Sequence, residues 1–449
     1  MNHNLYYSRF EDRYEGKYTS IIFSDRYRHT KWRWLWVLLA MAEKDCGLPI
    51  TDGQINEMMD HIGDIPYDTI AAIEDKTRHD VVAHLKAFAE QCPTAAPIIH
   101  LGATSCYITD NADVAIMKIA MEVIENCLIR VVDKMSEMAW VYDNYTMVGR
   151  THFQPAQPVT LGKRFAMWAQ DFKIDLKNLR YQMDQLRPLG CRGATGTADS
   201  FLQLFDGDAG KVMLLEKLII DKMGFSNAFP VSGQTYTRKQ DYYVLQVLSG
   251  IAQSASKFAT DIRLLAGLGE VSESFGESQV GSSAMPYKKN PITCEKICGL
   301  SRYVIVDAQN AAITASSQWL ERTLDDSSNR RVVIPEMFIA IECIINTCMQ
   351  VLDGFNVHDD IVDSHIEEHR DNIMMEGVLV ESVKRGGNRQ QLHEKLREYA
   401  MSKEGVLAVK IAEDPDFHLT LDEVQAIRSR VSIGMAPEQV AMCAEKFEL

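Results

Sequence analysis

Residues 108–148 run for 41 positions without a glycine or a proline, and this stretch constrains the fold more than any other. Within it Ile116, Ile119, Val123, Cys127, Val131, Met135 and Met138 recur at spacings of three and four, the repeat that puts side chains on one face of an α-helix. Unbroken, such a helix would reach about 60 Å at roughly 1.5 Å per residue, more than one compact domain spans. Its apolar stripe needs partners of similar length, so the stretch predicts a bundle. Thr109 or Asp110 is placed to cap its start.

Low-proline segments of the same kind follow at 160–186, 235–268, 292–320 and 332–352, which makes five long helices. Short β-branched clusters such as 21–23 lack period-two neighbours, so no sizeable sheet is expected. The chain reads as mainly α in three helical domains: 1–105, a central long-helix bundle over 106–357, and 358–449. The longest early apolar run, 34–42, falls well short of the ~20 residues that span a bilayer and reads as a buried helix. Long apolar helices also bury themselves against copies of the same chain, so self-association is expected.

With 62 acidic against 47 basic side chains the formal charge is −15, which argues against nucleic acid or an anionic membrane as the partner. An anionic substrate would need a local basic pocket. Ten cysteines occur without a Cys-x-x-Cys pair, and the first 20 residues lack an apolar run, so a reducing, cytoplasmic setting with free thiols is expected rather than export. Neither a Gly-x-x-x-x-Gly-Lys loop nor a Gly-x-Gly-x-x-Gly motif occurs, which leaves nucleotide hydrolysis and hydride transfer unsupported. His365 and His369 share a helix face, but Ile366 breaks the zinc-protease pattern, so neither metal nor cofactor is expected.

The chemistry concentrates in Gly281-Ser282-Ser283-Ala284-Met285-Pro286-Tyr287-Lys288-Lys289-Asn290-Pro291, which joins serines to two adjacent cations and an amide. Core packing asks for no such combination. The approach to it is rich in glycine and serine, and the segment 269–291 predicts a flexible loop that can close over a ligand. This segment resembles the signature of the fumarase and aspartase superfamily. Further resemblances stand in family order: Arg78-His79-Asp80, His100 to Ser105, Thr151-His152-Phe153-Gln154-Pro155-Ala156-Gln157, Gly233 to Lys239, and Glu321 to Arg331. Tyr287 before Lys288 is similar to the branch of that superfamily acting on succinylated purine nucleotides; fumarases usually carry Gly there and argininosuccinate-cleaving enzymes Gln.

The resemblance implies β-elimination of fumarate from adenylosuccinate, giving AMP, and from the succinyl-carboxamide ribotide of the purine pathway. It implies a small-molecule purine nucleotide substrate and a homotetramer with active sites shared between subunits. In it Ser282 is the general base; the residue chemistry alone cannot choose between Ser282 and Ser283. Lys288 supplies positive charge, Asn290 donates to a substrate carboxylate, and His152 is the general acid, which suits an imidazole titrating near neutrality. His79 either binds phosphate or supports the acid histidine. The implied substrate contacts are Arg13, Tyr14, Arg78, Asp80, Thr104, Ser105, Thr151, Gln234, Lys296, Arg322, Ser327 and Arg331.

Several of these residues also have plainer readings. Thr104 and Ser105 suit a helix N-terminus that attracts carboxylate or is merely capped. Arg330 and Arg331, taken alone, read as a solvated face balancing Asp325 and Asp326. Lys296 stands where the animal relatives carry arginine, which keeps the charge and loses the two-pronged geometry. The rival readings are another fumarate-releasing lyase, such as one cleaving argininosuccinate, and a catalytically silent helical relative.

Overall fold

The computed structural model describes residues 8–274, 281, 283–285, 287–402 and 405–445. The principal elements, in chain order, are α1 (Asp25–Asp45), α2 (Tyr67–Thr77), α3 (Asp80–Gln91), α4 (Ser105–Val141), the strands β1 (Thr146–Thr151) and β2 (Gln154–Thr160), and α5 (Leu161–Gln185). There follow α6 (Lys239–Gly267), β3 (Val271–Ser272), α7 (Ile292–Asp307), α8 (Gln309–Ser316), α9 (Asp325–Asp353), β4 (Asn356–Val357), α10 (Asp359–Lys384) and α11 (Arg389–Met401). Helices hold 68% of the residues, so the protein is mainly α as the periodicity predicted.

Four expected boundaries move. The first long helix starts at Ser105 rather than at Thr109 or Asp110, because Thr104 lends its carbonyl to the Tyr107 N–H at 2.9 Å. It stops at Val141, where β-branched Thr146 and Val148 enter β1 instead of a further turn of helix. The segment 292–320 is two helices, α7 and α8, meeting at Ala308. The last long helix begins at Asp325, which brings Asp326, Arg330 and Arg331 onto one helical element.

The chain divides into two compact units, one of Met1–Ile129, Asp175–Ser256 and Gly299–Asn346 and one of Arg130–Ile174, Lys257–Cys298 and Thr347–Leu449. The helices α4, α5, α6, α7 and α9 contribute residues to both. In the first unit Leu35 and Trp36 of α1 are buried with Phe88 of α3, the two rings stacked 5.7 Å apart, and Ile108, Met121 and Leu128 of α4 lie fully buried. In the second, Trp168 packs edge-on against Phe165 and Phe258, and its indole N–H donates to Asp261 at 2.8 Å. A separate cluster there gathers Val378, Leu392, Ile411, Phe417 and Val424. Helix α9 is long and apolar enough to cross a membrane, but 67% of that window is buried within the protein, which marks it as a core helix.

Candidate active site

In the first unit a cavity of about 400 Å³ is lined by seven of the sequence-predicted residues: His79, Asp80, Ser105, Gln234, Arg322, Ser327 and Arg331. They converge from sequence positions more than 250 apart because α3, α4, α9 and two loops end at the same place. Arg78, Thr104, Arg13 and Tyr14 are not part of this lining. Arg78 takes a left-handed turn (φ 53°) that ends α2, and exposed Arg13 follows the short helical turn Arg9–Glu11.

Each lining group is held in a specific way. His79 is the N-cap of α3 and accepts the Val82 N–H at Nδ1, 3.4 Å away. Asp80 accepts the Val81 N–H at 2.7 Å and pairs through its other oxygen with Arg331. Burial pushes the Asp80 carboxyl up, but the bonds from Arg331 and Val81 outweigh it, and the group sits below its ordinary value. The Gln234 side chain donates to the Ala194 carbonyl at 3.0 Å, and its backbone N–H donates to the Glu321 carbonyl at 2.9 Å. That approach depends on Gly233, whose added Cβ would lie 2.5 Å from the same Glu321 oxygen.

Part of the cavity wall is a network of buried charge that the motifs had not revealed. Arg238 grips Asp110 with two bonds (2.9 and 3.1 Å) and Asp326 with a third (2.7 Å), all three side chains at most 2% exposed. Arg330 pairs with Asp241 at 2.7 Å and Asp113 at 3.0 Å, and donates to the Tyr236 hydroxyl, which in turn donates to Asp241. Arg322 reaches Asp326 at 2.7 Å. Arg330 and Asp326 are therefore core ion pairs rather than a solvated face, and Asp110 is a partner of Arg238 rather than a helix cap. Those four aspartates engage three arginines; Arg331, half-exposed and paired with Asp80, and Arg28 are the lining arginines outside the network among the described residues.

Sequence reasoning also missed His29, Trp32 and His84, which line the same cavity. The two imidazoles lie against each other, tilted by 38°, with centroids 3.9 Å apart. Burial, assisted by Arg28 and Arg331, lowers His29 to about 4; burial, with His29 and Arg33 beside it, lowers His84 to about 3. Both are neutral at physiological pH. Their 55-residue separation left only the four-residue spacing from Asp80 to His84 as a hint.

In the second unit Thr151 and His152 sit at the tip of the β1–β2 hairpin. The strands pair antiparallel with Thr151 opposite Gln154, so His152 and Phe153 are the two central turn residues, both left-handed at φ 52° and 61°. A two-residue turn of this hand favours Asn-Gly, and each non-glycine residue there costs on the order of 1–2 kcal/mol. An exposed imidazole is thereby held on a strained tip, a feature that clusters at functional sites. Pro155 and Pro158 are accommodated within β2 of this two-stranded hairpin, where a missing N–H is tolerated.

Parts of the 269–291 loop are described. Val271 and Ser272 pair with Val357 and Asn356, and the Glu273 carboxylate accepts the N–H groups of Thr293 (2.8 Å) and Cys294 (3.1 Å) at the start of α7. Asn290 donates to the Gly281 carbonyl at 2.9 Å, Ser283 and Lys288 are exposed, and Lys296 on α7 is half-buried. Ser282, together with 275–280 and 286, lies outside the described residues.

The chain belongs to the lyase family, whose profile, described as Lyase, matches residues 7–306. Its relatives include the adenylosuccinate lyase of Saccharomyces cerevisiae, 40% identical over 99% of this chain and 95% of that one. The adenylosuccinate lyase of Schizosaccharomyces pombe is 41% identical over 97% and 93%. Among solved structures, a fumarate lyase from Mesorhizobium sp. BNC1 superposes with a TM-score of 0.85 at 20% identity, covering 98% of this chain and 99% of that one. The 3-carboxy-cis,cis-muconate lactonizing enzyme from Pseudomonas putida gives 0.84 at 21% over the same shares. At such identities these two similarities establish the fold.

Proposed function

We propose that the protein cleaves adenylosuccinate to AMP and fumarate by β-elimination, and acts likewise on the succinyl-carboxamide ribotide. The observation that carries the reading is the 40% identity to a yeast adenylosuccinate lyase across 99% of this chain, which spans the cavity, the hairpin and the loop together. The cavity supports it, since Arg331 at the rim offers a planar two-pronged donor to phosphate.

The elimination removes a proton from the carbon beside a carboxylate, passes through a doubly charged aci-carboxylate, and expels a nitrogen that must be protonated. Ser282 takes the proton, a role that requires nearby positive charge and exclusion of water around its oxygen. Lys288 and Asn290 stabilise the aci-carboxylate. His152, presented on its hairpin tip, delivers a proton to the departing nitrogen, with His79 in support. Asp80, Ser105, Gln234, Arg322, Ser327 and Arg331 hold the nucleotide; Arg13, Tyr14, Arg78, Thr104, Thr151 and Lys296 complete its contacts. The enzyme works as a cytoplasmic homotetramer whose sites draw residues from several subunits, built from segments 1–105, 106–357 and 358–449. A substrate panel tests the reading: adenylosuccinate and the succinyl-carboxamide ribotide are turned over and argininosuccinate is not, and the reverse preference would overturn it.

A further inference from the structure

The hairpin tip that presents His152 is strained, yet nothing in its sequence relieves the strain: neither central residue is glycine, asparagine or aspartate. Such a conformation persists only where its surroundings over-determine it. The surroundings are specific. Two residues before His152, the Arg150 guanidinium lies over the Phe153 ring, 5.9 Å from its centroid. Arg150 pairs with Glu270 at 3.5 Å, and Glu270 is fully buried where the chain enters the 269–291 loop. The same Glu270 oxygen meets Nδ1 of His365 at 2.8 Å, on the helix α10 that packs against β1.

One buried carboxylate thus ties together the hairpin, the base of the loop and a C-terminal helix, all within the second unit. The cluster is poorly built for stability alone. The other Glu270 oxygen and Nε of Arg150 are buried without a hydrogen-bond partner among the described residues. A buried ion pair left incompletely satisfied contributes little to folding, and an apolar pair of similar volume is often as stable. What it does supply is a fixed direction for Arg150, and through Phe153 a fixed turn.

We propose that Glu270 is a positioning residue for His152, acting through Arg150 and held in its rotamer by His365. The proposal rests on the reading of His152 as the general acid. A small displacement of a reacting group is enough to cost on the order of a hundredfold in rate. The effect belongs to kcat, because the residue being positioned is the proton donor and neither Arg150, Glu270 nor His365 is among the residues lining the nucleotide cavity.

The test uses the full-length protein with Glu270→Gln and with the double variant Arg150→Met/Glu270→Met, which removes both charges together. Three quantities are read: Tm, kcat and KM for adenylosuccinate, and the rate at which diethylpyrocarbonate modifies His152, mapped by peptide mass spectrometry. The expected result is a wild-type Tm and KM, a kcat lowered by about tenfold or more, and a His152 modification rate altered several-fold. Unchanged kcat and unchanged His152 reactivity would overturn the proposal. So would losses of kcat that appear only with a collapse of Tm in both variants, since the cluster would then serve folding. If the wild-type protein fails to cleave adenylosuccinate, the functional reading falls, while His152 reactivity still decides whether Glu270 positions the turn.

Discussion

Glu43 offers a prediction whose size follows from the structure. It lies on α1, fully buried, and neither carboxyl oxygen has a hydrogen-bond partner among the described residues. Burial pushes its carboxyl up to about 9, from 4.5 in the unfolded chain. Between those values the folded protein holds a proton that the unfolded chain has released. Stability therefore falls as pH rises, by about 1.4 kcal/mol per pH unit, until the carboxyl ionises in the fold. From pH 4.5 to 7 the accumulated loss is about 3 kcal/mol, the order expected for a carboxyl kept neutral at the expense of its proton equilibrium. Glu43→Gln is nearly isosteric and cannot ionise, so it removes that slope and leaves packing intact. The assay is Tm of both proteins at matched ionic strength from pH 5 to pH 8. The variant gains little at pH 5 and, at roughly 1 °C per kcal/mol for a chain of this length, on the order of 3 °C at pH 7. A Tm difference that stays flat with pH, or grows on acidification, would refute the reasoning.

Two further predictions concern the network and the chemistry. Arg238→Leu strands Asp110 in the core and leaves Asp326 with Arg322, and is expected to cost about 3–5 kcal/mol in denaturant unfolding; a loss below about 1 kcal/mol would show that water reaches the network. Ser282→Ala is expected to abolish turnover while calorimetry still detects substrate binding, and His152→Ala to lower kcat by about 10²–10⁴-fold; near-normal rates in either variant would remove that residue from its assigned role.

The long helices were legible because one property, unbroken apolar periodicity, governs them locally. The hairpin was not: its turn is His152-Phe153 rather than Asn-Gly, its second strand carries two prolines, and both features point away from a strand. The motif residues His79, Asp80, Gln234, Ser327 and Arg331 were found by their order, and the fold brings them to one cavity. What the sequence concealed was which arginines are free to meet a ligand. Arg322, Arg330 and Arg331 look alike in a charged run, and only the pairing of Arg330 with Asp241 and Asp113, distant in sequence, and of Arg322 with Asp326 sets them apart from Arg331. His29 and His84 escaped for the same reason, since neither carries a local signature and their contact depends on how α1 meets α3.

The most direct test of the functional account is the stoichiometry of products when the purified protein is mixed with adenylosuccinate and followed by ultraviolet absorbance and chromatography. AMP and fumarate appearing in equal amounts, as substrate is consumed, is the predicted result. A folded protein that leaves adenylosuccinate intact, or releases AMP without fumarate, would contradict it.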